Sequence, residues 1–218
     1  MAEVSTSVLS IKEDPLQKFY DIEASKTDYF HIDVMDGKFV ENDTRERMRD
    51  YSLSLSHTTN VPLEVHLMVE NIKEEIDEFI DFNPQIIIFH VESIKNKEEG
   101  FELIKYIKDN GIKVGMSVSP DTEIEKVYEF LPYIHMCLVM TVVPGKGGQK
   151  LIEECLEKVK KLKKYIEEND LDITIEADGG INLETAEKVK ESGEDILVAG
   201  TAIVDSKNYA ETIKALKE

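Results

Sequence analysis

The chain has 218 residues with 45 acidic and 26 basic side chains, which gives a formal net charge of −19. We find no local basic patch to offset the repulsion of phosphates, so nucleic acid and anionic membranes are not expected partners. No apolar run approaches the roughly 20 residues of a membrane helix, and the N-terminus lacks a leader pattern. We therefore expect a soluble, cytoplasmic protein. Its two cysteines, Cys137 and Cys155, are widely spaced and fit buried free thiols in a reducing compartment.

Short apolar segments alternate with stretches of helical periodicity along the whole chain. The segments of strand type are residues 4–9, 29–35, 61–68, 86–91, 113–118, 136–140, 173–177 and 196–199. The stretches of helical type are residues 14–24, 44–51, 71–80, 97–110, 122–130, 151–166, 183–192 and 209–217. Asp14 and Asn71 are expected as helix N-caps, and Thr122 with Glu125 as a capping box.

Eight strand–helix units in a chain of this length predict a closed (β/α)8 barrel, a TIM barrel. No Pro/Gly/Ser-rich linker divides the chain, so we expect one catalytic domain over residues 1–218. An open doubly wound sheet is the alternative. It is disfavoured because no dinucleotide-type glycine fingerprint follows the first strand.

The second predicted strand places two metal-binding side chains on one face, His31 and Asp33, immediately before a turn at Asp36 and Gly37. Taken alone, this pattern fits a core histidine beside a capping aspartate equally well. In a barrel, however, the carboxyl ends of all strands meet at one face. The ends of strands three and seven then add His66 and Asp178. Two imidazoles and two carboxylates suit a single Zn²⁺, Fe²⁺, Mn²⁺ or Co²⁺ ion better than Ca²⁺ or Mg²⁺.

Glycines follow each of the last three strands. They are Gly145, Gly147 and Gly148 in PGKGGQ, then Gly179 and Gly180, then Gly200 before Thr201. One glycine pair is often only a turn. Glycines in the last three loops of a barrel, where barrels commonly bind phosphate, indicate a phosphate site made of backbone N–H groups.

Six sequence blocks carry a family resemblance. In chain order they are HIDVMDGKFVEN, EVHLMV, FHVE, MTVVPGKGGQ, EADGGI and AGTAI, between residues 31 and 203. With TSVLS at residues 6–10, they resemble the signature blocks of the ribulose-phosphate 3-epimerase family over almost the whole chain. The resemblance implies a metal-dependent interconversion of D-ribulose 5-phosphate and D-xylulose 5-phosphate in the pentose phosphate pathway, and a homo-oligomer.

The resemblance also implies roles for individual residues. The metal ligands would be His31, Asp33, His66 and Asp178, with Asp33 and Asp178 also acting as the acid/base pair. Inverting C3 of a 2-ketose requires a proton to leave one face and another to return on the opposite face, which two carboxylates can accomplish through an enediolate. A cation bound to O2 and O3 would stabilise the charge that develops. Ser7 and His66 would contact the substrate, and the glycine loops would hold its phosphate.

Three methionines end strands two, three and six: Met35, Met68 and Met140. They form either a polarizable apolar wall beside the enediolate or ordinary core packing.

Two acids, Glu64 and Glu176, precede His66 and Asp178 by two residues on the same face, one layer deeper. They either orient the ligands or form an interior polar pair. We expect only supporting roles for His90 and Glu92.

Four positions depart from the family pattern. Thr6 and Glu41 stand where prolines are common, Val143 where an asparagine is common, and Lys146 where a phenylalanine is common. Lys146 either supplies charge to the phosphate, which the acidity of the chain favours, or points into solvent. These departures leave two alternatives open: a D-allulose 6-phosphate 3-epimerase with a roomier pocket, and a non-catalytic sugar-phosphate-binding barrel.

Overall fold

The computed structural model describes residues 2–218 and shows a closed barrel of eight parallel strands in sequential order. The strands are β1 Glu3–Ser7, β2 Tyr29–Met35, β3 Leu63–Met68, β4 Ile86–His90, β5 Lys113–Val118, β6 Met136–Met140, β7 Thr174–Asp178 and β8 Ile196–Ala199. Each strand pairs with the next, and β8 closes the barrel by pairing with β1. The predicted (β/α)8 architecture is therefore confirmed, and the open sheet is excluded.

Helices follow most strands on the outside of the barrel. They are α1 Pro15–Ala24, α2 Arg45–Thr58, α3 Ile72–Phe79, α4 Lys97–Asp109, α5 Cys155–Glu168, α6 Ala186–Lys190, α7 Thr201–Val204 and α8 Tyr209–Lys217. The prediction of a helix over residues 122–130 was wrong, because this connection contains only short 3₁₀ turns at Ile124–Val127 and Leu131–Tyr133.

The caps predicted at Asp14 and Asn71 were correct in position but not in contact, whereas the capping box predicted at Thr122 and Glu125 was wrong, because Glu123 precedes the 3₁₀ turn there. Asp14 precedes α1 in a left-handed conformation (φ 48°), and its side chain makes no capping hydrogen bond. Asn71 precedes α3, and its amide Nδ2 donates to the Glu74 carboxylate rather than its oxygen accepting from the helix backbone. The fixed φ of Pro15 and the apolar face of α3 are enough to define these helix starts.

Helix α5 begins later than its apolar stripe predicted. Leu151 and Ile152 belong to the preceding loop, where the N–H of Ile152 donates to the carbonyl of Thr141. Likewise, only Ala186–Lys190 is α-helical within the predicted span 183–192. Before α5 the contact with Thr141 replaces the first helical turn, whereas before α6 local hydrogen bonds between Asn182 and Thr185 form a turn instead.

The strands divide the core into two layers. Their outward-facing side chains, such as Phe30, Ile32 and Val34 of β2, pack against the helices in one large apolar cluster. The barrel interior is apolar on one side, where β4, β6 and β8 supply Ile86, Ile88, Met136, Leu138 and Ile196. On the other side it is polar, with Ser5, His31, Asp33, Glu64, His66 and Glu176 all buried. This buried polar half contains the candidate site.

Among the described helices, none has both the length and the apolar character needed to cross a bilayer.

Candidate active site

A cavity of about 290 Å³ opens at the carboxyl ends of the strands. Asp33 and Asp178 lie at its base, and Ser7 and the predicted methionines Met35, Met68 and Met140 also face it. Every residue predicted to bind phosphate lies in its wall, namely Gly145, Lys146, Gly147, Gly148, Gly179, Gly180, Gly200 and Thr201. The barrel thus brings all these residues to one pocket.

Four side chains meet below this cavity in a group able to hold a metal ion: His31, Asp33, His66 and Asp178. His31 Nε2 lies 3.4 Å from His66 Nδ1, and Asp33 Oδ1 lies 3.5 Å from each of these nitrogens. Asp178 Oδ2 is 3.9 Å from the nitrogen of His31 and 3.7 Å from that of His66.

The origin of this group lies in strand register. Asp33 and His66 are direct partners across β2 and β3, whereas Asp178 comes from β7, beyond β1 and β8. Both histidine side chains are fully buried, and those of Asp33 and Asp178 are 6% and 15% exposed. The carboxylates can therefore reach a molecule in the cavity. His66 lies beneath it, so a direct contact of His66 with substrate stays a prediction.

The protonation states of the group reflect its excess of negative charge. Burial lowers the pKa of His31, but the charge of Asp33 and hydrogen bonds to Asp33 and Glu64 outweigh it and raise this pKa well above its usual value. Burial lowers the pKa of His66 to about 4. The negative charge of the carboxylates stabilises a proton on the buried His31, and the same charge would stabilise a divalent cation. A set of nitrogen and oxygen donors of this kind suits a first-row transition metal.

The two aspartates differ from each other. Burial tends to raise the pKa of Asp33, but His31 and His66 lower it far below the usual range. Burial and the negative charge of Asp33 raise the pKa of Asp178 to about 7. The neighbouring charges thus favour a carboxylate at Asp33 and a carboxylic acid at Asp178.

A second layer of buried acids lies under His31. Glu64 accepts a hydrogen bond from the hydroxyl of Ser5 and lies 3.5 Å from His31 Nδ1. Glu176 lies 3.8 Å from the same nitrogen, and burial together with the charge of Glu64 raises its pKa well above the usual value. Because Glu64 can accept a hydrogen bond from Nδ1, it would hold the ring with Nε2 towards the other three predicted ligands. This geometry favours the orienting role of Glu64.

The loops after β7 require glycine for steric reasons. Gly179 and Gly180 have φ values of 119° and 70°, which L side chains rarely adopt. A Cβ on Gly180 would lie 2.3 Å from the backbone nitrogen of Leu151. The loop after β6 therefore packs directly against the loop after β7, and this close contact shapes the wall of the cavity.

Several residues at this wall were not predicted individually. Ser10 faces the cavity, and its hydroxyl lies 3.1 Å from that of Thr201. Asn42 donates to the carbonyl of Gly145 at 2.6 Å, and Gln149 donates to the carbonyls of Val143 and Lys146. Ser10 and Asn42 fall within the blocks TSVLS and HIDVMDGKFVEN, which was the available signal. The side chain of Lys146 is exposed at the edge of the same cavity.

Comparisons with known proteins agree with this geometry. A family model described as the ribulose-phosphate 3 epimerase family matches residues 3–204. Ribulose-phosphate 3-epimerase of Methanocaldococcus jannaschii is 36% identical over 100% of this chain and 91% of its own length. The Bacillus subtilis protein of the same name is 35% identical over 100% of this chain and 99% of its own.

Solved structures of other proteins share the fold. KGPDC from Streptococcus mutans matches with a TM-score of 0.71 and 12% identity, over 100% of this chain and 96% of that chain. A 3-hexulose-6-phosphate synthase matches with a TM-score of 0.70 and 12% identity, over 100% of this chain and 98% of that chain. At this identity the similarity concerns the barrel alone, whereas the family match and the full-length relatives show that the chain is an enzyme of the ribulose-phosphate 3-epimerase family.

Proposed function

We propose that this enzyme interconverts D-ribulose 5-phosphate and D-xylulose 5-phosphate by metal-dependent inversion at C3. The observation that carries the proposal is the meeting of Asp33 and Asp178 at the base of a cavity whose wall holds the glycine loops. A sugar phosphate with its phosphate at those loops would extend its carbon chain towards the two carboxylates. The full-length relatives named for this activity support the same assignment.

The aspartates would move the proton. One carboxylate removes the proton from C3, and the other, as a carboxylic acid, returns a proton to the opposite face of the enediolate. Asp33 and Asp178 come from strands separated by β1 and β8, so they can reach the substrate from two sides. The opposite directions of their pKa shifts match this division of roles. Ser7 donates to Asp33 Oδ2 at 2.7 Å and would hold that carboxylate in position.

His31, Asp33, His66 and Asp178 would hold the divalent cation. When bound, Zn²⁺, Fe²⁺, Mn²⁺ or Co²⁺ would supply positive charge that lowers the energy of the enediolate. The remaining buried residues exclude water from this charge, with Met35, Met68 and Met140 as the apolar side of the cavity.

The phosphate end would be held mainly by backbone N–H groups. Gly145, Gly147, Gly148, Gly179 and Gly180 all line the cavity, and Thr201 and Ser10 add hydroxyl groups. The exposed side chain of Lys146 would add positive charge to a strongly acidic protein. Because a phosphate needs N–H donors more than a particular side chain, this end of the site tolerates the departures from the family pattern.

The test is exchange of the C3 hydrogen with solvent deuterium, together with a coupled assay of D-xylulose 5-phosphate formation. The enzyme supplied with Co²⁺ or Zn²⁺ should show both, and chelator-treated enzyme should lose both until metal is restored. Exchange unaffected by complete metal removal would contradict the metal-dependent mechanism. Absence of exchange with any added metal would favour the non-catalytic sugar-phosphate-binding barrel.

Substrate choice is tested separately by the ratio of kcat/KM for D-ribulose 5-phosphate and D-allulose 6-phosphate. We expect the pentulose phosphate to be preferred, and a higher value for the hexulose phosphate would reverse the assignment. Cytoplasmic localisation fits the two buried free cysteines, although one relative, from Arabidopsis thaliana, is named as chloroplastic. The homo-oligomer and the single catalytic domain over residues 1–218 stay predictions.

A further inference from the structure

A row of buried polar side chains leads away from His66 on the side opposite the other ligands. His66 Nε2 lies 3.0 Å from Nε2 of His90, the last residue of β4. The two rings are stacked at 5.0 Å with an interplanar angle of 20°. His90 Nδ1 then lies 2.9 Å from Oε2 of Glu92. His66 and His90 are both fully buried, so the row is shielded from water.

Glu92 has a defined place at the end of this row. Its other oxygen, Oε1, accepts a hydrogen bond from the backbone N–H of Ser119 at 2.8 Å. Burial tends to raise its pKa, but hydrogen bonds from His90, Thr122 and Ser119 lower it to about 2. Glu92 is therefore a carboxylate, which can only accept hydrogen bonds.

The hydrogen positions in the row follow from this acceptor. A neutral imidazole has one N–H and one bare nitrogen. With both imidazoles of the row neutral, the N–H of His90 is at Nδ1, facing Glu92, so its Nε2 is bare and accepts. His66 must then donate from Nε2, which leaves its Nδ1 bare. That nitrogen is the one that lies 3.5 Å from Asp33 and 3.4 Å from His31.

We propose that Glu92 and His90 are positioning residues that set the tautomer of His66, so that its Nδ1 lone pair faces the metal position. The proposal rests on the proposed metal site. In both predicted histidine ligands, a glutamate would then control the ring nitrogen that faces away from the metal position. Glu64 lies directly against Nδ1 of His31, whereas Glu92 acts on Nε2 of His66 through His90. The ring of Phe39, from the turn after β2, lies 4.9 Å from that of His90 and covers it.

The sharpest test is Glu92→Gln, which changes one atom. The Gln carbonyl oxygen is held by the N–H of Ser119, so its NH₂ group faces His90 Nδ1. This should reverse the direction of every hydrogen bond in the row. His90 would accept at Nδ1 and donate from Nε2, so His66 would accept at Nε2 and carry its proton at Nδ1. In two-bond ¹H–¹⁵N spectra of the metal-free protein, His66 should be the Nε2–H tautomer in the wild type and Nδ1–H in the variant. Its affinity for Co²⁺, measured by chelator competition, should fall about 10- to 100-fold.

Two further variants separate this role from ordinary packing. His90→Leu removes the row and should weaken Co²⁺ binding to a similar extent, with a mixture of His66 tautomers. Ile88→Val, on the inward face of the same strand beside His66, disturbs packing without changing a hydrogen bond. It should lower the thermal midpoint but keep the wild-type tautomer and Co²⁺ affinity within about threefold.

The proposal is overturned if Glu92→Gln keeps His66 as Nε2–H and binds Co²⁺ within threefold of the wild type. It is equally overturned if Ile88→Val changes the tautomer as much as Glu92→Gln does. If His90→Leu fails to fold, the tautomer and Co²⁺ affinity of the isosteric Glu92→Gln variant still test the proposal. If the wild type binds no Co²⁺, the proposed metal site fails, whereas the tautomer spectra of the metal-free protein continue to test the row.

Discussion

The two ends of the candidate site are built differently. The metal-binding group consists of side chains on buried strands, where the register between β2 and β3 places Asp33 beside His66. The phosphate loops consist of backbone, held by close contacts such as that between Gly180 and Leu151 and by hydrogen bonds such as that from Asn42 to Gly145. The geometry of the metal-binding group therefore depends on which side chains are present, whereas that of the phosphate loops depends on the path of the backbone.

This difference matches two of the four departures from the family pattern. Val143 and Lys146 both lie in the loop after β6, where their side chains are exposed. The four predicted ligands are all intact. The other two departures do not follow this difference, since Thr6 is buried on β1 and Glu41 is exposed in the turn after β2.

The largest effect is expected from the carboxylates. Asp33→Asn and Asp178→Asn each keep the side-chain shape but remove a base, so kcat should fall by about 10³-fold or more. Deuterium exchange at C3 and Co²⁺ stoichiometry should be measured for both variants. Asp43→Asn, on an exposed residue outside the metal-binding group, is the control and should keep wild-type kcat. Wild-type turnover in either site variant would contradict the two-base mechanism.

The second effect concerns backbone shape. Gly180→Ala combines a φ of 70° with a Cβ placed 2.3 Å from the nitrogen of Leu151, so the loop must move. We expect the free energy of unfolding to fall by about 3 kcal/mol, and KM to rise more than kcat falls.

The matched control for that prediction is Gly111→Ala. Its φ is 77°, but its Cβ would meet no atom within 4 Å. Only the conformational cost of about 1–2 kcal/mol should then appear in urea unfolding, with KM unchanged. Equal losses of stability in the two variants would show that close packing of the loops is not the reason for glycine at position 180.

A third prediction uses a buried carboxyl at the opposite end of the barrel. Glu194 precedes β8, and burial raises its pKa to about 8. Because the unfolded chain loses this proton at lower pH than the folded chain does, the native state loses stability as pH rises from about 4.5 to 8. Glu194→Gln should therefore stabilise the protein at pH 8 relative to pH 5 by about 2 kcal/mol, with kcat unchanged.

Urea unfolding at both pH values checks this prediction. The exposed neighbour Glu191 supplies the control, since Glu191→Gln should change the free energy of unfolding by less than about 0.5 kcal/mol at either pH. If the effect of Glu194→Gln did not change with pH, the pKa of this carboxyl would be the same in the folded and unfolded states.

The smallest effect is expected from Lys146. Lys146→Ala removes an exposed positive charge at the edge of the cavity, so KM for the sugar phosphate should rise about 3- to 10-fold at low salt and less at high salt. Lys150→Ala, in the same connection but outside the cavity wall, should leave KM unchanged. An unchanged KM for Lys146→Ala would show that the side chain only points into solvent.

Local sequence patterns predicted some parts of the fold better than others. The strands β2, β5, β6 and β8 and the helix α8 lie where apolar alternation and helical periodicity placed them. The failures are in the connections after β5, β6 and β7, and in α2, which ends at Thr58 rather than at Tyr51. After β6, contacts with other loops replace the first helical turn, as in the hydrogen bond from Ile152 to Thr141. Periodicity reports only which face of a segment is buried, so it cannot detect such contacts.

The candidate site shows the same limit. His31, Asp33, His66 and Asp178 could be collected from the sequence because strand ends in a barrel share one face. The row from His66 through His90 to Glu92 could not, because side-chain direction and the acceptor at Glu92 depend on packing between β3, β4 and the connection after β5.

The sequence by itself therefore determined the barrel, the family and the set of side chains at the strand ends, since alternation and short motifs are local properties of the chain. Only the tertiary structure decided which nitrogen of each histidine faces its partners and which aspartate favours the proton. It also decided how closely Gly180 approaches Leu151. These features depend on distances between residues far apart in the chain, and electrostatic and steric energies change steeply with such distances.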